Sequence, residues 1–189
     1  MFEYRIALNF KYQIYDLMND LIKQLKLFAK EDFPINEVDN YLNKYQLKQE
    51  HLIKYSHFSK EQYTRNLVYR DPNFEILFLC WHPGQIAPIH GHEGEKCWAR
   101  VECGQLKFCN YNLISEHPLK LKRQEELIAN IGYLDGPADI HSVENNSKDK
   151  AISLHVYAKP YDKCNIFYPE QNSIKRAKLK YYSKFGEVC

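Results

Sequence analysis

The chain has 189 residues, 44% of them hydrophobic and 14% aromatic, so it is long enough to fold around a substantial core. Its 26 basic and 24 acidic residues leave a formal charge of +2 without a basic block, which argues against nucleic acid or an anionic membrane as a partner. We find no signal-peptide pattern and no apolar run approaching the roughly eighteen residues of a membrane helix. The six cysteines show no CxxC spacing, so we expect reduced thiols in a cytoplasmic protein.

The first part of the chain, residues 1–62, has the pattern of amphipathic helices. Apolar residues recur there at steps of three and four, as on a helix that packs against a core. These residues are Ile14, Leu17, Met18, Leu21, Ile22, Leu25 and Phe28. Pro34 is expected to end this helix, and Asn36 with Asp39 predicts the N-terminal cap of a second one. The second helix has an apolar face of its own, made of Val38, Leu42 and Tyr45. A shorter helical piece is expected near Leu52.

From Phe74 onward the apolar segments shorten and become rich in strand-forming residues. Glycine and proline separate them, as turns do between strands. The predicted strands are Glu75 to Trp81, Lys96 to Cys103, Gln105 to Tyr111, Asn130 to Leu134, Ala151 to Ala158 and Cys164 to Phe167. Helices followed by many short strands predict an α+β fold, mainly β, whose strands form a sandwich or small barrel. We expect one domain over residues 1–189, with the β part in residues 63–189.

His90 and His92 form the first candidate metal-binding pair. In an extended strand, side chains two residues apart point to the same face, so both imidazoles can hold one ion. His141 is the candidate third ligand. Three imidazoles suit Fe, Zn, Cu or Ni and leave coordination positions open for a substrate. A 2-oxoglutarate oxygenase is disfavoured, because its usual site has two histidines and one carboxylate. An isolated pair of this kind is also found by chance on a protein surface.

The residues around these histidines resemble the motifs of the cupin superfamily. The first motif is matched in spacing by Gly84, His90, His92, Cys97 and Gly104. Cys97 stands where cupins usually carry glutamate. His141 and Asn145 fit the end of the second motif. The resemblance implies a cupin-type small β-barrel, the double-stranded β-helix or jelly roll, with the N-terminal helices packed on it.

The cysteine at the glutamate position, together with several other segments, resembles the cysteine dioxygenases. These segments run from Tyr63 to Val68, from Leu79 to Trp81, from Ser153 to Tyr157 and from Ser183 to Gly186. The resemblance implies a mononuclear Fe(2+) site held by His90, His92 and His141. It also implies that the thiol of free L-cysteine is oxidised with O2 to cysteine sulfinate.

The resemblance assigns further roles to residues of two predicted strands. It implies that Cys97 is joined through sulfur to the ring of Tyr157 in a thioether cross-link. Strand alternation places Ser153, His155 and Tyr157 on one face, where a hydrogen-bond relay from Ser153 through His155 to the phenol is sterically reasonable. The competing interpretation makes His155 a metal ligand.

Arg65 indicates the class of substrate. The family places an arginine at this position to hold the substrate carboxylate, and a planar guanidinium binds a carboxylate through two parallel hydrogen bonds. Tyr63, two residues earlier, would add a phenolic hydrogen bond. Free L-cysteine is therefore the favoured substrate, with O2 as the second one, and we expect a monomer. A dioxygenase of 3-mercaptopropionate or another small thiol, and a non-catalytic cupin that binds a metal or a thiol, remain as alternatives.

Overall fold

The computed structural model describes residues 18–137 and 139–189. Three helices precede the strands: α1, whose described part covers residues 18–29, α2 at Ile35–Lys44 and α3 at Gln49–Tyr55. The predicted stripe is buried at Met18, Leu21, Leu25 and Phe28, while Ile14 and Leu17 lie outside the described residues. Helix α3 confirms the helical piece expected near Leu52. No helix in these two ranges is long and apolar enough to cross a membrane.

The cap predicted for the second helix is wrong. Helix α2 begins at Ile35, its N-cap is Pro34, and no side chain caps it. Asn36 therefore lies inside the helix. Asp39 instead accepts a hydrogen bond from the indole nitrogen of Trp98 at 2.6 Å. Its carboxylate therefore binds a residue far away in the sequence and does not cap the helix.

Thirteen strands in the described ranges form two sheets, and we number them in chain order. The first sheet has the order β13-β12-β1-β2-β9-β4-β7. Its strands are β1 (Thr64–Arg70), β2 (Glu75–Trp81), β4 (Lys96–Cys103), β7 (Leu134–Asp135), β9 (Ala151–Ala158), β12 (Ser183–Lys184) and β13 (Glu187–Val188). The second sheet has the order β11-β10-β3-β8-β5-β6. Its strands are β3 (Ile86–Gly91), β5 (Gln105–Glu116), β6 (Leu119–Asn130), β8 (Ile140–Glu144), β10 (Lys163–Tyr168) and β11 (Ser173–Lys178), with a 3-10 turn at Pro169–Gln171.

The strand predictions are right where the sequence is apolar and wrong at the turn between β6 and β7. Strands β2, β4 and β9 have the predicted bounds, and β10 extends the predicted segment by one residue at each end. The segment from Asn130 to Leu134 is not a strand, because the chain turns there with Gly132 at a φ of 89°. Strand β6, which was not predicted, ends at Asn130 and pairs along β5.

Strand β2 lies between two hydrophobic cores. Ile76 and Phe78 point outward and pack with the helices, where Leu21 and Val38 are fully buried. The alternate residues from Leu77 to Trp81 point into the space between the two sheets. The α+β fold, with helices packed on a cupin-type jelly roll, is therefore confirmed. That residues 1–189 form a single domain stays a prediction.

Candidate active site

Three histidines converge between the sheets. His90 on β3 stands directly opposite His141 on the neighbouring strand β8. Strand β3 ends at Gly91, so His92 lies just past it. One ring nitrogen from each histidine lies within 4.8 Å of the others, and this group includes no carboxylate. His92 and His141 are each only 1% exposed. The geometry is that of a three-histidine metal site.

Hydrogen bonds fix the orientation of two of these rings. The Nδ1 of His90 donates to the carbonyl of Pro88 at 2.8 Å, and the Nδ1 of His141 donates to a carboxylate oxygen of Asp135 at 3.3 Å. Because both partners can only accept, each Nδ1 carries the hydrogen, and each Nε2 presents a lone pair. Burial, with the neighbouring His141 as the second cause, lowers the pKa of His90 to about 3. The ring is therefore neutral at physiological pH, which is the form that binds metals.

Cys97 and Tyr157 are opposite each other on the neighbouring antiparallel strands β4 and β9. Both side chains are buried, with exposed fractions of 1% and 3%. Burial raises the pKa of the Cys97 thiol and of the Tyr157 phenol well above their usual values. The sequence predicted a covalent link between these two residues, and they lie where such a link could form.

A chain of hydrogen bonds runs along β9 to the phenol. The indole of Trp81 donates to Ser153 Oγ at 3.1 Å, Ser153 Oγ lies 2.8 Å from His155 Nε2, and His155 Nδ1 lies 3.1 Å from the Tyr157 hydroxyl. Burial lowers the pKa of His155 well below its usual value, so the ring is neutral. Since both nitrogens of His155 are engaged, the geometry does not support His155 as a metal ligand.

The direction of these hydrogen bonds follows from the donors available. Indole can only donate, so Ser153 accepts from Trp81 and has its own hydrogen to give to His155 Nε2. The hydrogen of the neutral imidazole then stays on Nδ1 and is donated to the oxygen of Tyr157. In this arrangement the phenol keeps its own hydrogen for an acceptor in the pocket.

Arg65 is a buried cation beside the three histidines. Its side chain is 7% exposed, and Nη2 donates to Glu75 Oε1 at 3.2 Å. The guanidinium carbon lies 5.6 Å from the ring centre of Tyr157 and 5.4 Å from that of Tyr161. The buried Nε–H of Arg65 has no hydrogen-bond partner within the described ranges. A buried charged donor without a partner is costly, so this group is prepared for an anionic ligand.

Several of these residues border one cavity of about 450 Å³, including its open mouth, which we call the histidine pocket. Tyr63 lies in its wall and stacks on Trp81, with the ring centres 4.6 Å apart. The wall is otherwise mostly apolar and aromatic, so the few polar groups decide which ligand fits. Its polar and ionisable members are Tyr63, Arg65, His90, His141, His155, Tyr157, Tyr161 and Cys164.

Three residues of this region were not predicted from the sequence. Asp135 orients His141, Tyr161 lies against Arg65, and Glu75 forms the ion pair with Arg65. The inward orientation of Glu75 could have been predicted, because it lies two residues before Leu77 and four before Leu79, on the same face of the strand. A metal-binding histidine usually has a carboxylate or carbonyl partner, but the spacing alone could not select Asp135.

Two β-sheets that enclose a three-histidine site define a cupin-type metal-binding protein. Comparison with known proteins then identifies the family. Residues 15–170 match the family described as "Cysteine dioxygenase type I". The chain belongs to this family, which confirms the resemblance stated from the sequence and makes the chain a thiol dioxygenase at family level. The match reaches further toward the N-terminus than the residues that carried the resemblance, and it does not include the last nineteen residues.

Curated relatives support the same conclusion. The chain is 31% identical over 179 residues to "Cysteine dioxygenase type 1" of Danio rerio, covering 91% of this chain and 89% of the relative. It is 29% identical over 173 residues to the human protein of the same name, covering 88% and 86%. Among solved structures it is similar to the TT1209 protein of Thermus thermophilus, with a TM-score of 0.49 and 22% identity over 60% of this chain and 98% of that one.

Proposed function

We propose that this thiol dioxygenase acts on free L-cysteine and converts it to cysteine sulfinate at Fe(2+) held by His90, His92 and His141. Both atoms of O2 are added to the sulfur. Sulfur loses four electrons and O2 gains four, so the reaction needs no external reductant. The observation that carries the choice of substrate is the buried Arg65, which lines a small pocket and whose Nε–H lacks a partner within the described residues.

Arg65 would bind the substrate carboxylate. A guanidinium edge offers two parallel donors to a carboxylate, and burial strengthens such a contact by excluding water. Tyr63 and Tyr161 border the same pocket, so their hydroxyls are placed to hydrogen-bond a bound carboxylate. This arrangement favours thiols with a carboxylate over cysteamine, which has none.

The donor set fits ferrous iron. Three neutral imidazoles leave the ion its two positive charges and several open positions, which favours an anionic ligand such as a thiolate. When it is bound there, iron supplies the one-electron chemistry that O2 requires.

Tyr157 would act on the substrate through its hydroxyl. Because His155 supplies the hydrogen between these two residues, the phenol can donate its own hydrogen into the pocket, and Ser153 keeps His155 in the required tautomer. The thioether to Cys97 would hold the phenol in place, so that no reorganisation is needed during the reaction. Rings of Tyr157 and Tyr161, 4.9 Å apart, would keep water from this side of the pocket.

We also place the protein in the cytoplasm. None of the six cysteines, all of which lie in the described ranges, forms a disulfide, as expected in a reducing compartment. The monomeric state stays a prediction.

Oxygen consumption by the iron-loaded protein tests this proposal. L-cysteine, 3-mercaptopropionate and cysteamine are compared at equal concentrations, and the products are identified by mass spectrometry. We expect L-cysteine to give the highest kcat/KM, with one sulfinate formed for each O2 consumed. A higher kcat/KM for 3-mercaptopropionate would change the substrate assignment. Iron binding without thiol-dependent oxygen consumption would leave only the non-catalytic alternative.

A further inference from the structure

Glu75 is a fully buried carboxylate in the interior of the barrel. It stands opposite Tyr157 on β9 and opposite Arg70 on β1, while Tyr157 in turn stands opposite Cys97 on β4. These four residues form one row across four neighbouring strands. Glu75 is thus a direct neighbour of Tyr157, which lines the histidine pocket, and the function proposed above gives Glu75 no role.

Both oxygens of Glu75 accept hydrogen bonds. Oε1 accepts from Arg65 Nη2 at 3.2 Å, and Oε2 accepts from Arg70 Nη1 at 3.5 Å and from the hydroxyl of Tyr181. Burial raises the pKa of this carboxyl, and the two arginines and Tyr181 oppose that rise. Donors on both oxygens, two of them cationic, favour the ionised carboxylate. Arg70 also pairs with the exposed Asp162 at 2.7 Å, and its ion pair with Glu75 is longer than that of Arg65, so Arg65 makes the shorter of the two ion pairs with Glu75.

Arg65 thus already forms an ion pair with one anion, Glu75. If it binds the substrate carboxylate, that carboxylate becomes the second anion on the same buried guanidinium. Two like charges that share a site oppose each other strongly where water is excluded. At the same time the contact with Glu75 holds the guanidinium in one orientation, which reduces the entropy lost when the substrate binds.

We propose that Glu75 determines specificity by offsetting the charge of Arg65. The pocket therefore prefers carboxylate-bearing thiols over neutral ones less strongly than it would if Arg65 had no counter-charge. This inference rests on the proposed role of Arg65. It assigns to Glu75 a positioning and charge-setting role without any contact with the reacting atoms.

The test is the ratio of kcat/KM for L-cysteine to kcat/KM for cysteamine in iron-loaded variants. Glu75→Gln keeps an oxygen for Arg65 and removes the charge, so the ratio should rise, by roughly tenfold. Arg70→Gln leaves more of the Glu75 charge on Arg65, so the ratio should fall. Arg70 is partly exposed, with 31% of its side chain accessible, and this variant keeps the inference testable if Glu75→Gln does not fold.

Asp162→Asn is the matched control. Asp162 belongs to the same network, but its side chain is 62% exposed, so water screens its charge and the ratio should change less than about twofold. Titration calorimetry with L-serine, which has the carboxylate and no thiol, checks the same point without turnover. Its dissociation constant should fall in Glu75→Gln and rise in Arg70→Gln.

The outcomes separate this inference from the proposed function. An unchanged or lower ratio in Glu75→Gln, with a lower ratio in Arg65→Ala, would overturn the role of Glu75 and leave that of Arg65 intact. A ratio that Arg65→Ala does not change would remove the carboxylate role of Arg65 itself. Equal effects of Asp162→Asn and Glu75→Gln would show a general dependence on net charge and would also overturn the inference.

Discussion

Cys97 and Tyr157 are paired directly across the antiparallel strands β4 and β9. The Cβ atoms of such opposite residues are roughly 4.5 to 5.5 Å apart. A bond from the Cys97 sulfur to the phenol ring therefore needs only side-chain rotation and no movement of either strand. The cross-link inferred from the family resemblance is thus compatible with the backbone, although its formation stays a prediction.

We expect the cross-link to form during turnover. A C–S bond would replace one S–H and one ring C–H. The two hydrogens would leave as two protons and two electrons, which reduce O2 to hydrogen peroxide. Intact-mass spectrometry of the turned-over protein should then show the loss of two hydrogens, and Cys97→Ser should abolish it. Cys103→Ser on the same strand is the control and should keep the mass change. A Cys97 thiol that still reacts with an alkylating reagent in every unfolded molecule after many turnovers would contradict the prediction.

Removing any one of the three histidines should remove most of the bound iron. His90→Ala, His92→Ala and His141→Ala each leave only two imidazoles for the ion. Iron content measured by mass spectrometry after loading and desalting checks this. His117→Ala, an exposed histidine in the hairpin between β5 and β6, should keep stoichiometric iron. The site assignment would be wrong if all three single variants retained full iron and activity.

Asp135 should strengthen metal binding without touching the ion. It accepts from His141 Nδ1 and also from the Asn110 amide at 3.1 Å. Asp135→Asn weakens the acceptor that fixes the His141 tautomer, so we expect the affinity for iron to fall by roughly 10-fold to 100-fold. Competition with a chelator of known affinity measures it. Asp139→Asn is the control, because this nearby carboxylate is exposed and accepts from the backbone of Gly94; this variant should bind iron as the unmodified protein does.

The sequence predicted the features that depend on local spacing. His90 and His92 lie two residues apart on an extended segment, and Ser153, His155 and Tyr157 alternate along one strand. A spacing of two residues can be read directly from the sequence, so the shared face of these residues could be predicted before any strand pairing was known. The family motifs then selected His141 and Arg65, which periodicity alone would not have distinguished.

Features that depend on strand pairing could not be predicted in this way. Strand β6 carries the polar run from Lys122 to Glu126 and resembles a loop in sequence, yet its backbone pairs along the whole length of β5. It is an edge strand of its sheet, and its polar middle interrupts the apolar alternation that would have predicted a strand. Asp39 was misassigned as a cap for a related reason, since its partner Trp98 lies 59 residues away.

Arg100 should be important for stability and not for catalysis. Its Nε donates to Glu102 at 2.6 Å, while Nη1 donates to the carbonyls of Leu42 and Tyr45 at the end of α2. The Arg100 side chain is buried and that of Glu102 is nearly so, with exposed fractions of 6% and 9%. Arg100→Met would leave the Glu102 charge buried and unpaired, so the free energy of unfolding should fall by about 3 to 5 kcal/mol.

Urea denaturation of the metal-free protein measures this change. Arg123→Met is the matched control, because its pair with Glu126 is 60% and 42% exposed and should contribute less than about 1 kcal/mol. The double variant Arg100→Met with Glu102→Gln should recover part of the loss, since no unpaired charge then remains. Equal effects of the two single variants would contradict the role given to the buried pair.

Arg65 should set the preference for substrates that have a carboxylate. Deleting one partner of a buried, charge-assisted contact costs about 2 to 5 kcal/mol, which corresponds to roughly thirtyfold or more in kcat/KM. Arg65→Ala should therefore reduce kcat/KM for L-cysteine by that factor and affect cysteamine far less. The kcat/KM of Arg65→Lys for L-cysteine should lie between those of the unmodified protein and of Arg65→Ala, because lysine keeps the charge and loses the planar fork.

Arg65→Ala also leaves Glu75 as a buried charge without its partner, so a loss of folded protein would lower both activities together. The double variant with Glu75→Gln removes that charge and should show the same change in the ratio of the two efficiencies. If this ratio stayed unchanged in both variants, Arg65 would be a structural residue, and the preference for L-cysteine would lose its main support.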